Sequence, residues 1–485
     1  MIIDGRPVPS PGWIAVVDPA TEDVVGRAPD AERAQLDDAV AAARRAWPSW
    51  RELSLDDRRA ALREMAGVIE DNRSELARIL TAEQGKPLVH AEREVMGARN
   101  NLLNAASLDP APVVSEDSAE KRVVTDYIPL GVVAAIPPWN FPIHLVFGKI
   151  AFALMAGNTV VVKPSPFTPL ATLRAVALLA EILPPGVLNA ISGRDRIGPW
   201  LTSHPGVDKI SFTGSTATGR AIMSSAAPTL KSLTMEMGGN DAAIVLPDVD
   251  IVETARDVFW AAFRNSGQIC TATKRLYIHA DIYEAFRDAL FDYARGVVIG
   301  PGADPRSQLG PVQNRMQYDK VRAIIEDCRT RGITLLDAEN APVGGRGYFI
   351  PVMLADDPPD DALIVTEEVF GPVLPLLRFR DADEVVARAN ASDYGLGASI
   401  WGRDMAQVRA LAARIQSGSV WINTIHQMNP QASFSGCRQS GIGMAGGLQG
   451  LLAYTDARTT VEWKGDPGAV WRSMPQPSTA TSTQV

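Results

Sequence analysis

The chain has 485 residues, 46% of them hydrophobic and 21% charged, which is more than one hydrophobic core usually organises and suits a protein of two or more lobes. A formal net charge of -9, with no long basic run to offset it, gives no field that would draw in phosphate backbones or anionic lipid, so neither nucleic acid nor a membrane is expected as a partner. The only cysteines, Cys270, Cys328 and Cys437, read as reduced thiols rather than a disulfide framework.

The start, Met1-Ile2-Ile3-Asp4-Gly5-Arg6, has no apolar core of signal-peptide length, and no later window reaches membrane-spanning length without polar interruption. A soluble, cytoplasmic protein is expected. Leu36, Val40, Ala43 and Trp47 follow helical spacing after Asp30. Leu62, Met65, Ile69, Leu76 and Leu80 predict a second, long helix opened by Ser54 with Asp57 three residues on. The N-terminal region therefore reads as mainly helical. The stretch 109–128 reads as an excursion from the first lobe, with Thr459-Thr460-Val461-Glu462-Trp463 as its candidate pairing strand.

From about residue 130, short runs rich in valine and isoleucine at 131–136, 158–163, 187–191, 208–213 and 242–246 alternate with helix-length segments. That alternation predicts a parallel sheet wrapped by crossover helices. After Cys270 a second alternation predicts strands near 275–279, 362–366, 373–379, 398–401 and 418–422, with amphipathic segments such as 381–390 between several of them. The run 475–485, rich in Ser, Thr, Pro and Gln, has no hydrophobic face and is expected to be mobile.

Three motifs carry chemistry. Asn265-Ser266-Gly267-Gln268-Ile269-Cys270 sets a cysteine on a turn of small residues, 34 positions after Glu236 in Glu236-Met237-Gly238-Gly239-Asn240. A thiolate is a strong nucleophile and a good leaving group, which suits a reaction that passes through a thioester. Asn140, in Pro138-Trp139-Asn140-Phe141-Pro142, offers an amide to an oxyanion, and Glu236 is a candidate base. Isolated buried cysteines are usually small apolar fillers, the reading given to Cys328 and Cys437. No G-x-G-x-x-G follows the early strands, yet Lys209-Ile210-Ser211-Phe212-Thr213 runs into Gly214-Ser215-Thr216-Ala217-Thr218-Gly219. A strand, a glycine turn and a helix start in that order suit a pyrophosphate.

PWNFP, KPS, FTGS, EMGGN, NSGQIC and EEVFGP occur in this order between roughly residues 15 and 464, and with them the chain resembles the aldehyde dehydrogenase superfamily. The resemblance implies a two-lobed α/β fold with a Rossmann-like cofactor domain (1–108, 129–238 and 440–454) and an α/β catalytic domain (239–439). It also implies a β oligomerisation arm (109–128 and 455–467), a mobile tail (468–485), and a homo-oligomer, dimer or tetramer. Cys270 would attack the aldehyde, Asn140 and the Cys270 backbone amide would hold the oxyanion, and Glu236 would activate the water that hydrolyses the thioester.

NAD is the expected cofactor, on Trp139, Lys163, Ser165, Gly214, Ser215, Gly219, Gly238, Glu368 and Phe370. By resemblance Lys163 meets the adenine-side ribose, Glu368 the nicotinamide ribose, and Phe370 packs beside the ring. Many relatives carry a glutamate three residues after that lysine; this chain has Pro166, which leaves NADP open. No metal is expected. The substrate tunnel would be lined by Phe141, His144, Leu145 and Gly148 on one helix face, by Ile269 and Thr271 beside the sulfur, and by a loop with His426, Gln427, Met428 and Phe434. Gly148 leaves room for a medium-sized or aromatic aldehyde. No arginine or lysine in these segments argues for a carboxylate-bearing substrate. An acylating, coenzyme A-dependent enzyme, a cofactor-independent thiol esterase and a non-catalytic scaffold are the alternatives, the first disfavoured by Glu236.

Overall fold

In the computed structural model, which describes residues 1–342, 345–466, 468–472 and 474, the helical periodicity of the N-terminus becomes packing. Helix Arg33–Arg51 buries Leu36, Val40 and Ala43, but its deepest aromatic is Trp50, whose indole N–H donates to the Leu154 carbonyl at 3.1 Å. Trp47 stays half-buried against the guanidiniums of Arg44 and Arg51. The long helix expected after Ser54 is two helices, Leu55–Asp71 and Arg73–Gln84. Asn72 divides them by leaving helical torsions and donating its side-chain amide to the Val68 carbonyl at 2.8 Å. Ser54 caps the first of the two through the Asp57 N–H at 3.1 Å. A hairpin of Gly12–Val17 and Val24–Asp30, not anticipated from the sequence, precedes these helices.

An eight-stranded sheet forms the first lobe. Its parallel centre runs, in spatial order, through Leu188–Ala190, Thr159–Val162, Val132–Ile136, Lys209–Thr213 and Ser232–Glu236. Chain order therefore reverses between 132–136 and 209–213, the place where open α/β sheets form a crevice at the carboxyl ends of their strands. Ile2–Ile3 and Gly441–Ile442 extend this sheet antiparallel at its two sides.

The second lobe is a seven-stranded sheet ordered Leu335–Asp337, Met353–Asp356, Val373–Phe379, Thr273–His279, Asp241–Val245, Gly397–Trp401 and Ser419–Ile422. The strand expected at 242–246 thus belongs here, and only residues 237–240 separate it from the last parallel strand of the first sheet. The run 362–366 is not a strand: Leu363–Thr366 is a single helical turn, with the Thr366 hydroxyl donating to the Ala362 carbonyl at 3.2 Å. Four apolar residues followed by a threonine fit either geometry, so their pattern alone does not decide. The amphipathic 381–390 segment forms helix Ala382–Asn390, capped by Asp381.

Val113–Asp117, Lys121–Pro129 and Thr455–Trp463 form a separate three-stranded antiparallel sheet that places Thr459 opposite Thr125 and Trp463 opposite Lys121. Val113, Val114 and Val461 are exposed on it. Ala469–Arg472 is a short helix inside the segment expected to be mobile from 468, and residues 475–485 lie outside the described residues. Among the described residues no helix is long and apolar enough to cross a membrane.

Candidate active site

The hexapeptide ending at Cys270 is held in an unusual backbone path. Asn265, Ser266 and Gly267 all have positive φ, at 54°, 57° and 74°, a conformation that side-chain-bearing residues adopt only when their surroundings enforce it. The enforcement is visible. Asn265 Nδ2 donates to the Asn140 carbonyl at 3.2 Å and the Gln268 carbonyl at 3.3 Å, and the Ser266 hydroxyl donates to the Gly310 carbonyl at 2.7 Å. The Gln268 side chain donates to the Asn265 carbonyl at 2.8 Å and accepts the Gln313 N–H at 2.8 Å. A Cβ at Gly267 would collide with the Gly371 carbonyl oxygen.

Lys274, which the sequence reading did not single out, closes the same loop from the other side. Its ammonium donates to the carbonyls of Ile269 at 2.9 Å, Cys270 at 2.6 Å and Ala272 at 3.4 Å, so the backbone around the sulfur is fixed by charge-assisted bonds. The only sequence signal for it is a cation at the head of an apolar strand.

Glu236 ends the strand Ser232–Glu236 and lies beside Thr213 in register. Its Oε2 accepts the Thr213 hydroxyl at 2.7 Å and lies 3.6 Å from the Lys149 ammonium, which itself donates to Thr213 Oγ1 at 2.7 Å. A carboxylate, a hydroxyl and an ammonium thus form a closed group within the site. Both contacts fall on Oε2, so the carboxylate is oriented while its other oxygen is left to take a proton, as a base requires. Lys149 and Thr213 were not anticipated.

Asn140 is buried, and its Nδ2 donates one hydrogen to the Gln268 carbonyl at 2.9 Å. A primary amide has a second hydrogen to offer. The Asn140 carbonyl accepts from Lys86 Nζ at 2.8 Å, and Lys86 pairs with Glu94 at 2.5 Å in a fully buried contact. Glu94 Oε1 in turn accepts the N–H groups of Ile143 at 3.0 Å and His144 at 3.2 Å, closing the first turn of helix Pro142–Met155. The pair therefore fixes Asn140 and the entrance of the helix behind it.

These groups face one cavity of about 830 Å³ that is lined by Asn140, Glu236 and Cys270 together. Phe141, His144, Leu145, Gly148, Ile269, Thr271, His426, Gln427, Met428 and Phe434 line it as well. His426 has a positive φ of 58°, and its Nε2 lies 3.1 Å from the Thr271 carbonyl. Burial pushes its pKa down to about 3, and burial also lowers that of His144. Cations are present after all, contrary to the expectation of a tunnel without them: Arg93, Arg264, Lys86 and Lys149 all reach the lining. Arg264 sits one residue before the hexapeptide, and Arg93 comes from helix Leu88–Ala106, so tertiary packing alone brings that guanidinium in.

Burial pushes the half-buried Cys270 thiol up to about 12, with Lys274 working against it and Glu236, Asp241 and Glu368 adding to it. The thiolate fraction near neutrality is accordingly small and rises with pH. Iodoacetamide labelling of Cys270, scored by peptide mass without added substrate or cofactor, should accelerate about tenfold per unit between about pH 7 and 9. A flat profile would show that the sulfur ionises near neutrality.

The remaining expected residues gather at the carboxyl ends of the first sheet. Gly214 and Ser215 follow strand Lys209–Thr213, and Ser215 caps helix Thr216–Ala226 through the Thr218 N–H at 3.2 Å. A Cβ at Gly219 would collide with Met237 Sδ. Lys163 follows strand Thr159–Val162 and is buried, yet among the described residues its ammonium has one hydrogen bond, 3.3 Å to the adjacent Pro164 carbonyl. Burial pushes its pKa down to about 8, the condition of a cation short of acceptors. Ser165 is buried beside it. Glu368 Oε1 accepts the Gly239 N–H at 3.1 Å and lies 3.5 Å from Lys274, and its carboxylate fills the space a Cβ at Gly238 would need. Phe370, at a φ of 54°, meets Trp139 edge to face with ring centres 5.4 Å apart. An under-partnered ammonium, a capped helix start and an aromatic wall at a topological switch point fit a dinucleotide.

Residues 8–460 match the model of the aldehyde dehydrogenase family. A probable aldehyde dehydrogenase of a Pseudomonas species is 43% identical over 464 residues, covering 95% of this chain and 94% of the relative. The phenylacetaldehyde dehydrogenase of Pseudomonas fluorescens is 36% identical, with 95% of each chain covered. Among solved structures, an NAD+ complex of an aldehyde dehydrogenase from Bacillus cereus superposes with a TM-score of 0.93 at 34% identity, covering 96% of both chains.

Proposed function

The chain belongs to the aldehyde dehydrogenase family, and from that premise we propose that it oxidises a medium-sized or aromatic aldehyde to the carboxylic acid with NAD, through a thioester on Cys270. The single observation that carries this reading is the shared cavity: sulfur, amide and carboxylate line one space.

The Cys270 thiol releases its proton to water in the cavity as the sulfur adds to the aldehyde carbon, and the carbonyl oxygen becomes an anion that the second Asn140 N–H and the Cys270 backbone N–H stabilise. The Lys274 bonds keep that part of the backbone from relaxing. When bound, NAD would supply the hydride acceptor for this oxidation. Lys163, Ser165 and the Gly214–Gly219 turn would hold its adenosine and phosphate side, and Glu368, Phe370, Trp139 and Gly238 its nicotinamide side. Glu236 then removes a proton from a water that attacks the thioester carbon, and the departing sulfur takes a proton back. Pro166 provides neither a ribose bond nor charge repulsion, so measurable NADP use is part of the proposal. In the same reading 1–108, 129–238 and 440–454 serve the cofactor and 239–439 the substrate. The exposed valines of the three-stranded sheet support self-association by 109–128 and 455–467.

An aldehyde panel with NAD and NADP in parallel tests the proposal: reduced cofactor and free carboxylate should form without coenzyme A. A product that appears only as a coenzyme A thioester, or ester cleavage without aldehyde-dependent reduction, would overturn it. Size selection has its own test. A Cβ at Gly148 would meet only Asn101 Nδ2, at 3.5 Å, so the glycine leaves usable space. Gly148→Leu should raise the KM for phenylacetaldehyde about tenfold and that for acetaldehyde much less; equal changes on both would show that Gly148 does not set substrate size.

A further inference from the structure

Charge inside the cavity does not balance. Its cationic lining residues are Lys86, Arg93, Lys149 and Arg264, and its carboxylates are Glu94 and Glu236. Lys86 pairs with Glu94 and Lys149 lies against Glu236, which leaves both guanidiniums unmatched. His90, His144 and His426, also in the lining, are kept neutral by burial and change nothing in this count.

The guanidiniums of Arg264 and Arg93 have no hydrogen bond or ion pair with any described residue. The Arg264 side chain is accessible to the cavity although protein surrounds it, with the Phe141 ring centre 6.0 Å from its Cζ. Burial lowers its pKa first and repulsion by Arg93 second, so the two guanidiniums sense each other across the same space. His90 lies close enough to feel both, and its buried Nδ1 has no hydrogen-bond partner. Both residues are exposed, so water serves their guanidiniums at rest, and an anion reaching into the cavity can take the place of that water against two like charges that no carboxylate of the lining neutralises.

We propose that Arg264 and Arg93 bind a carboxylate carried by the substrate at the end away from its aldehyde, so that the preferred substrates are ω-carboxylate aldehydes. The inference rests on the dehydrogenase reading and narrows its substrate class. A planar guanidinium accepts a carboxylate through two parallel bonds, which fixes orientation as well as adding attraction. Glu236 repels the carboxylate from the reacting end, so the aldehyde rather than the acid group is presented to Cys270. A neutral aldehyde of equal length leaves both guanidiniums facing only water.

The test compares succinic, glutaric and adipic semialdehydes with butanal, pentanal and hexanal in the wild-type enzyme. At least one charged aldehyde should exceed its neutral partner by about tenfold or more in kcat/KM, mainly through KM. Arg264→Gln and Arg93→Gln should each reduce that ratio by about tenfold, and Arg264→Lys should retain more of it than Arg264→Gln. Because Arg93 is on an exposed helix face, its variant remains informative even if Arg264→Gln fails to fold. Ratios below ten for all three pairs, or a ratio unmoved in Arg93→Gln and in folded Arg264→Gln, would overturn the inference. Those results would leave the dehydrogenase reading standing so long as neutral aldehydes reduce the cofactor; no reduction with any aldehyde would remove both.

Discussion

Cys270→Ala is expected to lower kcat by about 10⁴-fold or more, because without the sulfur there is no covalent adduct from which hydride can leave. The loss should be chemical rather than structural. The loop is held by Asn265, Ser266, Gln268 and Lys274, whose bonds run to backbone and amide groups and not to the thiol. The sulfur also borders the cavity, so its removal enlarges a space that already exists instead of opening a new one in the core. A stability change below about 1 kcal/mol by thermal unfolding should therefore accompany the lost activity. Cys437→Ala, at an exposed position on a short edge strand, should keep the full rate. If Cys270→Ala retained a tenth of the wild-type rate with its fold intact, covalent catalysis at this position would be excluded.

Glu236→Gln should separate the two halves of the reaction. Its amide keeps the shape of the carboxylate and can still accept from Thr213, but it cannot take a proton from water. Rapid mixing with aldehyde and NAD should give a burst approaching one reduced cofactor per site, followed by turnover slowed by about 10² to 10⁴-fold. An equally slow reaction with no burst would place the role of Glu236 before hydride departure. The distinction matters because the Cys270 thiol is itself held well above its ordinary range by burial, so the nucleophile also needs to lose a proton.

Local pattern and local chemistry were readable in the sequence to different depths. The parallel strands of the first sheet and the helix Pro142–Met155 follow from apolar runs and their spacing, since those runs are buried by the same periodicity that marks them. Assignment of Asp241–Val245 to the second sheet does not follow, because a run of valine and isoleucine carries no record of which sheet will receive it. Leu363–Thr366 is illegible for a related reason: a run of four residues is too short to show the period that separates strand from helix.

The candidate site shows the same divide. Asn140, Glu236 and Cys270 sit in short motifs whose order is visible along the chain. The groups that hold and charge the cavity come from far apart: Lys86, Arg93 and Glu94 from the N-terminal helical region, Lys149 from the tunnel helix, and Lys274 from a buried strand. Nothing in the neighbourhood of those residues announces their partners. Arg264 is the instructive case, adjacent to the best motif in the chain yet readable only once its lack of a partner is seen in three dimensions.

The four-residue link between the two sheets has a consequence for how specificity can change. Glu236 ends one sheet, Asp241 begins the other, and a Cβ at Gly239 would lie 2.9 Å from the Cys270 carbonyl oxygen. Nucleophile and base are thereby tied to a common strap that neither lobe can shift alone. Residues at the cavity mouth, such as Met428 on its exposed loop, lie outside that strap and can be exchanged without retuning the reacting groups. The molecule keeps its chemistry and its choice of guest on separate adjustments.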